Sequence, residues 1–243
     1  VINKTTSANA IEKAKVALIV GASGLIGQHL LTQLLASSSY SKVIALVRKP
    51  LTFTHPKLIQ WQVDFQQLAT ELAAQETGQS SVRATFAGNG FPAIDDIFCT
   101  LGSTIKKAGS KAAFTEVDYH YPLMIAEHFY RQHSSLFAIV TAMAANQSSR
   151  LFYNQVKGRV ETSLRAIGYQ HLGIFRPSML SGQRQEHRLG EQVGAILMHA
   201  LAFIIPKKYQ VIQAEKVANA MLAYAKNPQM GVSVIQSDQL QNH

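Results

Sequence analysis

A chain of 243 residues fits about one domain, because α/β folds reach ~250 residues in a single unit. Its 47% hydrophobic content excludes disorder throughout, and the 15% of charged residues is offset by 21 uncharged glutamines, so the low charge does not mark a membrane protein. Lys and Arg number 23 against 14 Asp and Glu, and the resulting charge of +9 favours anionic partners: phosphates, nucleic acid or acidic lipid.

The chain opens on VINKTTSANAIEKAK, which lacks the charged-then-apolar order of a secretory signal and reads as a loose polar leader over 1–15. VALIV at 16–20 has no polar interruption, as expected of a strand buried on both faces. Further strands are expected at 43–47, 57–61, 96–100, 136–140 and 171–175, with helical apolar spacing at 25–36 and 121–129. This alternation predicts an α/β doubly wound parallel sheet, the Rossmann fold. Residues 75–92 are rich in Gly, Ser and Thr and read as a mobile surface insertion. The apolar run from Val193 to Pro206 is 14 residues, short of the ~20 that a spanning helix needs, and reads as a buried helix, a dimer contact or a membrane-touching element, the first being the default. The terminal QSDQLQNH reads as frayed. Cys99 is the sole cysteine, which excludes an internal disulfide framework, and with no secretory signal it leads to the expectation of a soluble cytosolic protein.

The stretch VALIVGASGLIG sets Gly21, Gly24 and Gly27 between a buried strand and an apolar-periodic helix. In such a loop the first glycine permits a sharp turn, the second a close backbone approach to a pyrophosphate, and the third tight packing of helix on sheet. The helix N-terminus at Leu25 and Ile26 offers its N–H groups and positive dipole end to the anion, and Ser23 adds a hydroxyl. The next strand ends in Arg48 and Lys49 with no acid nearby, which favours the 2′-phosphate of NADP(H) over the bare ribose of NAD(H). Asp64, after the third strand, is placed either to receive an adenine amino group or to cap a helix.

Tyr153 and Lys157 stand four apart in a segment of helical period, hence on one helix face. An ammonium beside a phenol favours its phenolate, so the tyrosine can exchange a proton with a carbonyl or alcohol while the lysine also reaches a nicotinamide ribose. The segments GASGLIG, LVRKP, VDF, CTLGSTIKKAG, VDYHYPLMIAE, FYNQVKGRVE and FRPSML together resemble the atypical short-chain dehydrogenase/reductases, and among them the Tat-interactive-protein type, from Val16 to Ala223. The resemblance implies one dinucleotide-binding unit over 16–243, with 177–243 contributing a small substrate-binding portion. It also implies NADP(H) as cofactor, Tyr153 and Lys157 as the active pair, Leu101, Gly102 and Ser103 along the cofactor, and Pro177 against its nicotinamide end.

Such enzymes carry a Ser or Thr hydroxyl just after the fifth strand to orient the substrate oxygen. Here the order is IVTAMAANQSS: Thr141 is the nearest hydroxyl, Ala142 stands where a serine is common, and the other choices are Ser148 or Ser149 folding back, or no third member at all. Thr141 is taken as the third catalytic residue, with a hydroxyl that serves only the backbone as the equal alternative. Lys106, Lys107 and the stretch with Arg184, Glu186, His187 and Arg188 fit a polar or anionic substrate, or simply a solvated surface. No HxxxH or HxH pair occurs, so no metal is expected, and no basic tract longer than two residues points to nucleic acid. The reading leads to an NADP(H)-dependent oxidoreductase acting on a carbonyl or alcohol. Its alternatives are a non-catalytic NADP(H)-binding module for a protein partner and a nucleotide-sugar epimerase or dehydratase, and a homodimer stays open.

Overall fold

The computed structural model describes residues 14–76, 92–181 and 209–243. Seven parallel strands form one sheet: β1 (Lys15–Val20), β2 (Tyr40–Val47), β3 (Leu58–Gln62), β4 (Asp96–Cys99), β5 (Leu136–Val140), β6 (His171–Arg176) and, after two short strands, β9 (Gly231–Gln236). Their order across the sheet is β3-β2-β1-β4-β5-β6-β9. The reversal between β1 and β4 makes a crevice at the strand C-termini, where open α/β sheets bind ligands.

Both faces are covered by helices, which is why the central strands need no polar alternation. Ala17 and Ile19 of β1 face α1 (Leu25–Ala36) and α7 (Ala214–Lys226), whereas Leu18 and Val20 face the opposite layer. That layer holds α2 (Leu68–Glu76), α5 (Tyr121–Arg131) and α6 (Phe152–Ile167), which contribute Leu72, Phe129 and Leu164 among others. Two short helices, α3 (Ile105–Ala108) and α4 (Lys111–Thr115), follow β4, and a π-helical turn at Glu116–His120 leads into α5.

All six expected strands are present, with bounds shifted by a few residues. The seventh, β9, was not expected. Its sequence GVSVIQ mixes small and polar residues with short apolar ones, and it lies at the sheet edge beside β6, where burial is partial. The frayed C-terminus is corrected: Ser237–Leu240 forms a further helical turn, α8, with Ser237 and Leu240 both fully buried. The Ser237 hydroxyl accepts a bond from the backbone N–H of Ser178, which ties the end of the chain to the segment after β6.

Within 177–243, α7 and β9 build into the main body. The strand pair β7 (Leu180–Ser181) and β8 (Ile212–Gln213) lies beyond the C-terminal end of β6. Residues 77–91 of the expected insertion, the Arg184–Arg188 stretch and the Val193–Ile205 segment lie outside the described residues.

Candidate active site

Gly21 ends β1 with φ of +88°, and a Cβ there would stand 2.8 Å from the Thr100 carbonyl carbon. The turn closes with Gly24 N–H donating to the Gly21 carbonyl at 2.9 Å. At Gly27 a Cβ would fall 2.1 Å from the Gly21 carbonyl oxygen, so the first turn of α1 presses directly on the loop. Gly24 caps α1 in extended conformation without any side-chain hydrogen bond. Ser23 and Gly24 are exposed, whereas Ile26 and Gly27 are buried, so the latter two can offer only backbone to a ligand. Orphan N–H groups at an unblocked helix start, in a cradle that tolerates no added methyl at Gly21 or Gly27, fit a dinucleotide pyrophosphate.

Thr100 joins this loop to the next: its hydroxyl donates to the carbonyls of Val20 and Gly21 at 3.0 and 3.1 Å. Leu101, Gly102 and Ser103 follow, partly or fully exposed beside the glycine turn. Arg48 and Lys49 are exposed at the C-terminal end of β2. Burial, Glu116 and Asp64 raise the Tyr121 phenol, with Arg48 acting against them. Asp64 serves as a cap: its Oδ1 accepts the Gln66 N–H at 2.9 Å.

Tyr153 and Lys157 lie one turn apart near the start of α6, as the spacing predicts. The Tyr153 ring packs against Phe114 at 5.4 Å between centroids. The Lys157 ammonium is buried and stands 2.7 Å from Oδ1 of Asp118, itself fully buried in the π-helical turn. The other oxygen, Oδ2, accepts the Ser103 N–H at 3.0 Å. Burial alone would push Lys157 down, but Asp118, with Tyr153 and Cys99, outweighs it and holds the ammonium above the ordinary lysine range. The Cys99 thiol beneath is pushed up to about 12, chiefly by burial.

Thr141 does not fit the substrate-orienting role. It is buried, and its hydroxyl donates to Glu161 Oε1 at 2.7 Å, turned into the protein. Glu161 is paired on its other side with Arg176, whose Nε lies 3.0 Å from Oε1 and whose terminal nitrogen bonds Oε2. The cause is the need of a buried carboxylate for partners: the nearby hydroxyl and guanidinium both serve Glu161. Ser149 is likewise engaged, its hydroxyl accepting the Leu151 N–H at 3.1 Å, and Ser148 is exposed. Pro177 is buried, and its carbonyl accepts the Met143 N–H at 3.0 Å, fixing the segment around Ala142 against the end of β6.

Asp118 and Glu161 were not singled out from the sequence. The signal available was an acid inside an apolar-periodic segment, VDYHYPLMIAE for the first and YNQVKGRVETSL for the second. Lys106 and Lys107 are exposed on α3, and no group of His, Cys, Asp and Glu that could hold a metal occurs among the described residues.

A glycine cradle after β1, a loop after β4 and a Tyr/Lys helix after β5 define an atypical short-chain dehydrogenase/reductase. The chain belongs to the HIM1 family, whose model matches residues 52–205. Protein HTATIP2 of Rattus norvegicus is 35% identical over 180 residues, covering 73% of this chain and 67% of that protein. Protein FMP52, mitochondrial, of Eremothecium gossypii is 30% identical over 174 residues, covering 72% and 70%. Among solved structures, an oxidoreductase of the short-chain dehydrogenase/reductase family from Burkholderia thailandensis is similar at a TM-score of 0.62 and 16% identity, covering 93% of each chain. Human epimerase family protein SDR39U1 with NADPH is similar at 0.56 and 17%, covering 90% of this chain and 72% of that one. These two likenesses show the fold.

The expectation of a cytosolic protein is corrected by the fungal relatives, which are named as mitochondrial proteins. That expectation rested on a single cysteine and the absence of a secretory signal, neither of which distinguishes between reducing compartments. No helix among the described residues is long and apolar enough to cross a membrane.

Proposed function

We propose that this protein is an NADP(H)-dependent oxidoreductase acting on a carbonyl or alcohol, with Tyr153 as acid–base group and Lys157 as its electrostatic partner. The observation that supports this reading is that Lys157, one turn after Tyr153 on α6, lies against Gly102 in the loop after β4, where Thr100 bonds the Gly21 turn of the glycine cradle. The backbone of Gly21, Ser23, Gly24, Leu25, Ile26 and Gly27 would hold the pyrophosphate. Leu101, Gly102, Ser103 and Pro177 would line the nicotinamide half, and Asp64 would flank the adenine end. Arg48 and Lys49, with no acid at the end of β2, would hold a 2′-phosphate. When bound, the dinucleotide supplies or accepts the hydride.

The protein's own part is proton transfer and orientation. In the direction of reduction, the Tyr153 hydroxyl gives its proton to the carbonyl oxygen as negative charge builds there, and the Lys157 ammonium stabilises the phenolate left behind. We place the whole of 16–243 in one unit, with residues 178–181 and 209–213 on the substrate side. Neighbours of this fold are described in complex with NADPH and with NAD, which supports a nicotinamide dinucleotide as ligand.

Tyr153→Phe removes the proton while keeping the ring on Phe114. A screen of aldehydes and ketones should find NADPH-dependent turnover that this variant abolishes with NADPH binding intact, and unchanged turnover would refute the mechanism. A second reading, an NADP(H)-binding protein that presents a conformation to a partner without turnover, is favoured by one observation: Thr141 is committed to Glu161 and Ala142 has no hydroxyl. Steady NADPH consumption with any substrate of the screen would remove it.

A further inference from the structure

The ion pair under the loop after β4 has no counterpart in the Tyr/Lys chemistry above, and it joins two parts of the site. Asp118 sits in a π-helical turn, a form that concentrates at functional positions. The turn carries the Asp118 carboxylate inward to full burial, while its neighbours Val117 and Tyr119 stay half-buried. One carboxylate oxygen meets the Lys157 ammonium and the other the Ser103 N–H. A Cβ on Gly102 would stand 3.7 Å from both Asp118 Oδ1 and Lys157 Nζ, so the loop lies directly over the pair.

We propose that Asp118 is a positioning residue for Lys157: its carboxylate fixes the ammonium beneath residues 101–103 and, through Ser103, fixes that loop with the same group. A buried ion pair gives little net stability over an apolar pair of similar volume, so stability does not by itself account for a carboxylate here. Position does. Among the described residues, the other groups that act on the Lys157 charge are Tyr153 from its own helix and the Cys99 thiol from β4. Burial raises the Cys99 thiol, so it brings no negative charge to Lys157 at neutral pH.

The role rests on the reading of Lys157 as partner of Tyr153, yet its test needs neither cofactor nor substrate. Protein labelled with 15N-lysine is followed by side-chain ammonium NMR, with the Lys157 signal identified by its loss in Lys157→Met. In the native protein the Lys157 protons should exchange with water far more slowly than those of exposed lysines. In Asp118→Asn the ammonium should titrate about 1–3 pH units lower, because an opposite charge in contact has been removed. Asp118→Glu, which retains the charge, should restore most of the difference.

Native exchange as fast as that of surface lysines overturns the inference, and so does an unchanged titration in Asp118→Asn. Should Asp118→Asn fail to fold, the native exchange rate decides alone. With a substrate in hand, the alkaline limb of turnover in the same variant should move to lower pH. A displaced Lys157 titration with no turnover in any form supports the inference while counting against the oxidoreductase reading.

Discussion

Gly158 is where the packing of the site can be tested most sharply. It lies one residue after Lys157 in α6, and a Cβ built on it would fall 2.1 Å from the Gln147 backbone nitrogen and 2.2 Å from the Asn146 carbonyl carbon. Both obstacles are backbone, so no side-chain rotation relieves them, and the gap must widen by more than about 1 Å to reach ordinary contact. The Asn146 N–H donates to the Asn154 carbonyl at 3.0 Å, and this bond between loop and helix must stretch or break when they part. Overpacking of this kind costs about 1–3 kcal/mol and a lost backbone bond about 1 kcal/mol more. Gly158→Ala should therefore lose roughly 2–4 kcal/mol in urea unfolding. The helix that moves carries Tyr153 and Lys157, and a misplacement of about 1 Å can reduce turnover ~10²-fold. Stability within about 0.5 kcal/mol of the native protein, together with full turnover, would refute the close approach of loop 146–147 to α6.

Two further outcomes are expected. Thr141→Val keeps the shape of the side chain but removes the hydrogen bond to buried Glu161, so stability should fall by about 1–2 kcal/mol while NADPH affinity, measured by fluorescence, stays unchanged. A large loss of NADPH binding would mean that Thr141 faces the ligand instead. Ala142→Ser introduces a hydroxyl at the position where such enzymes use one and should raise NADPH-dependent turnover about two- to tenfold, the worth of one well-placed hydrogen bond. Equal turnover in steady-state kinetics would show that the hydroxyl is not what limits the reaction.

Local patterns were legible from the sequence and long-range pairings were not. VALIVGASGLIG contains its own strand, turn and helix start, and the clash distances at Gly21 and Gly27 follow from contacts within a few residues or with the adjacent strand. Tyr153 and Lys157 were readable because a helix fixes what lies four residues on. Asp118 meets Lys157 across 39 positions of sequence, and nothing local in VDYHYPLM says that a π-helical turn carries the acid inward. Thr141 looked available because only its place after a strand was visible, while Glu161, which engages it, comes from α6, and Arg176, which pairs with Glu161, from β6. β9 was missed because an edge strand with polar alternates carries a weak apolar signal, and its neighbour in the sheet, β6, is about 60 residues earlier. The compartment was misread because composition reports redox environment, not address.

The glycine cradle and the basic end of β2 are proposed to hold a dinucleotide phosphate. Calorimetric titration of NADPH and NADH into the native protein and into Arg48→Glu tests this most directly. The native protein should bind NADPH at least about tenfold more tightly than NADH, a difference of roughly 1.4 kcal/mol, and Arg48→Glu should erase or reverse that preference. Absence of binding to either nucleotide by the native protein would show that the cradle holds no such cofactor.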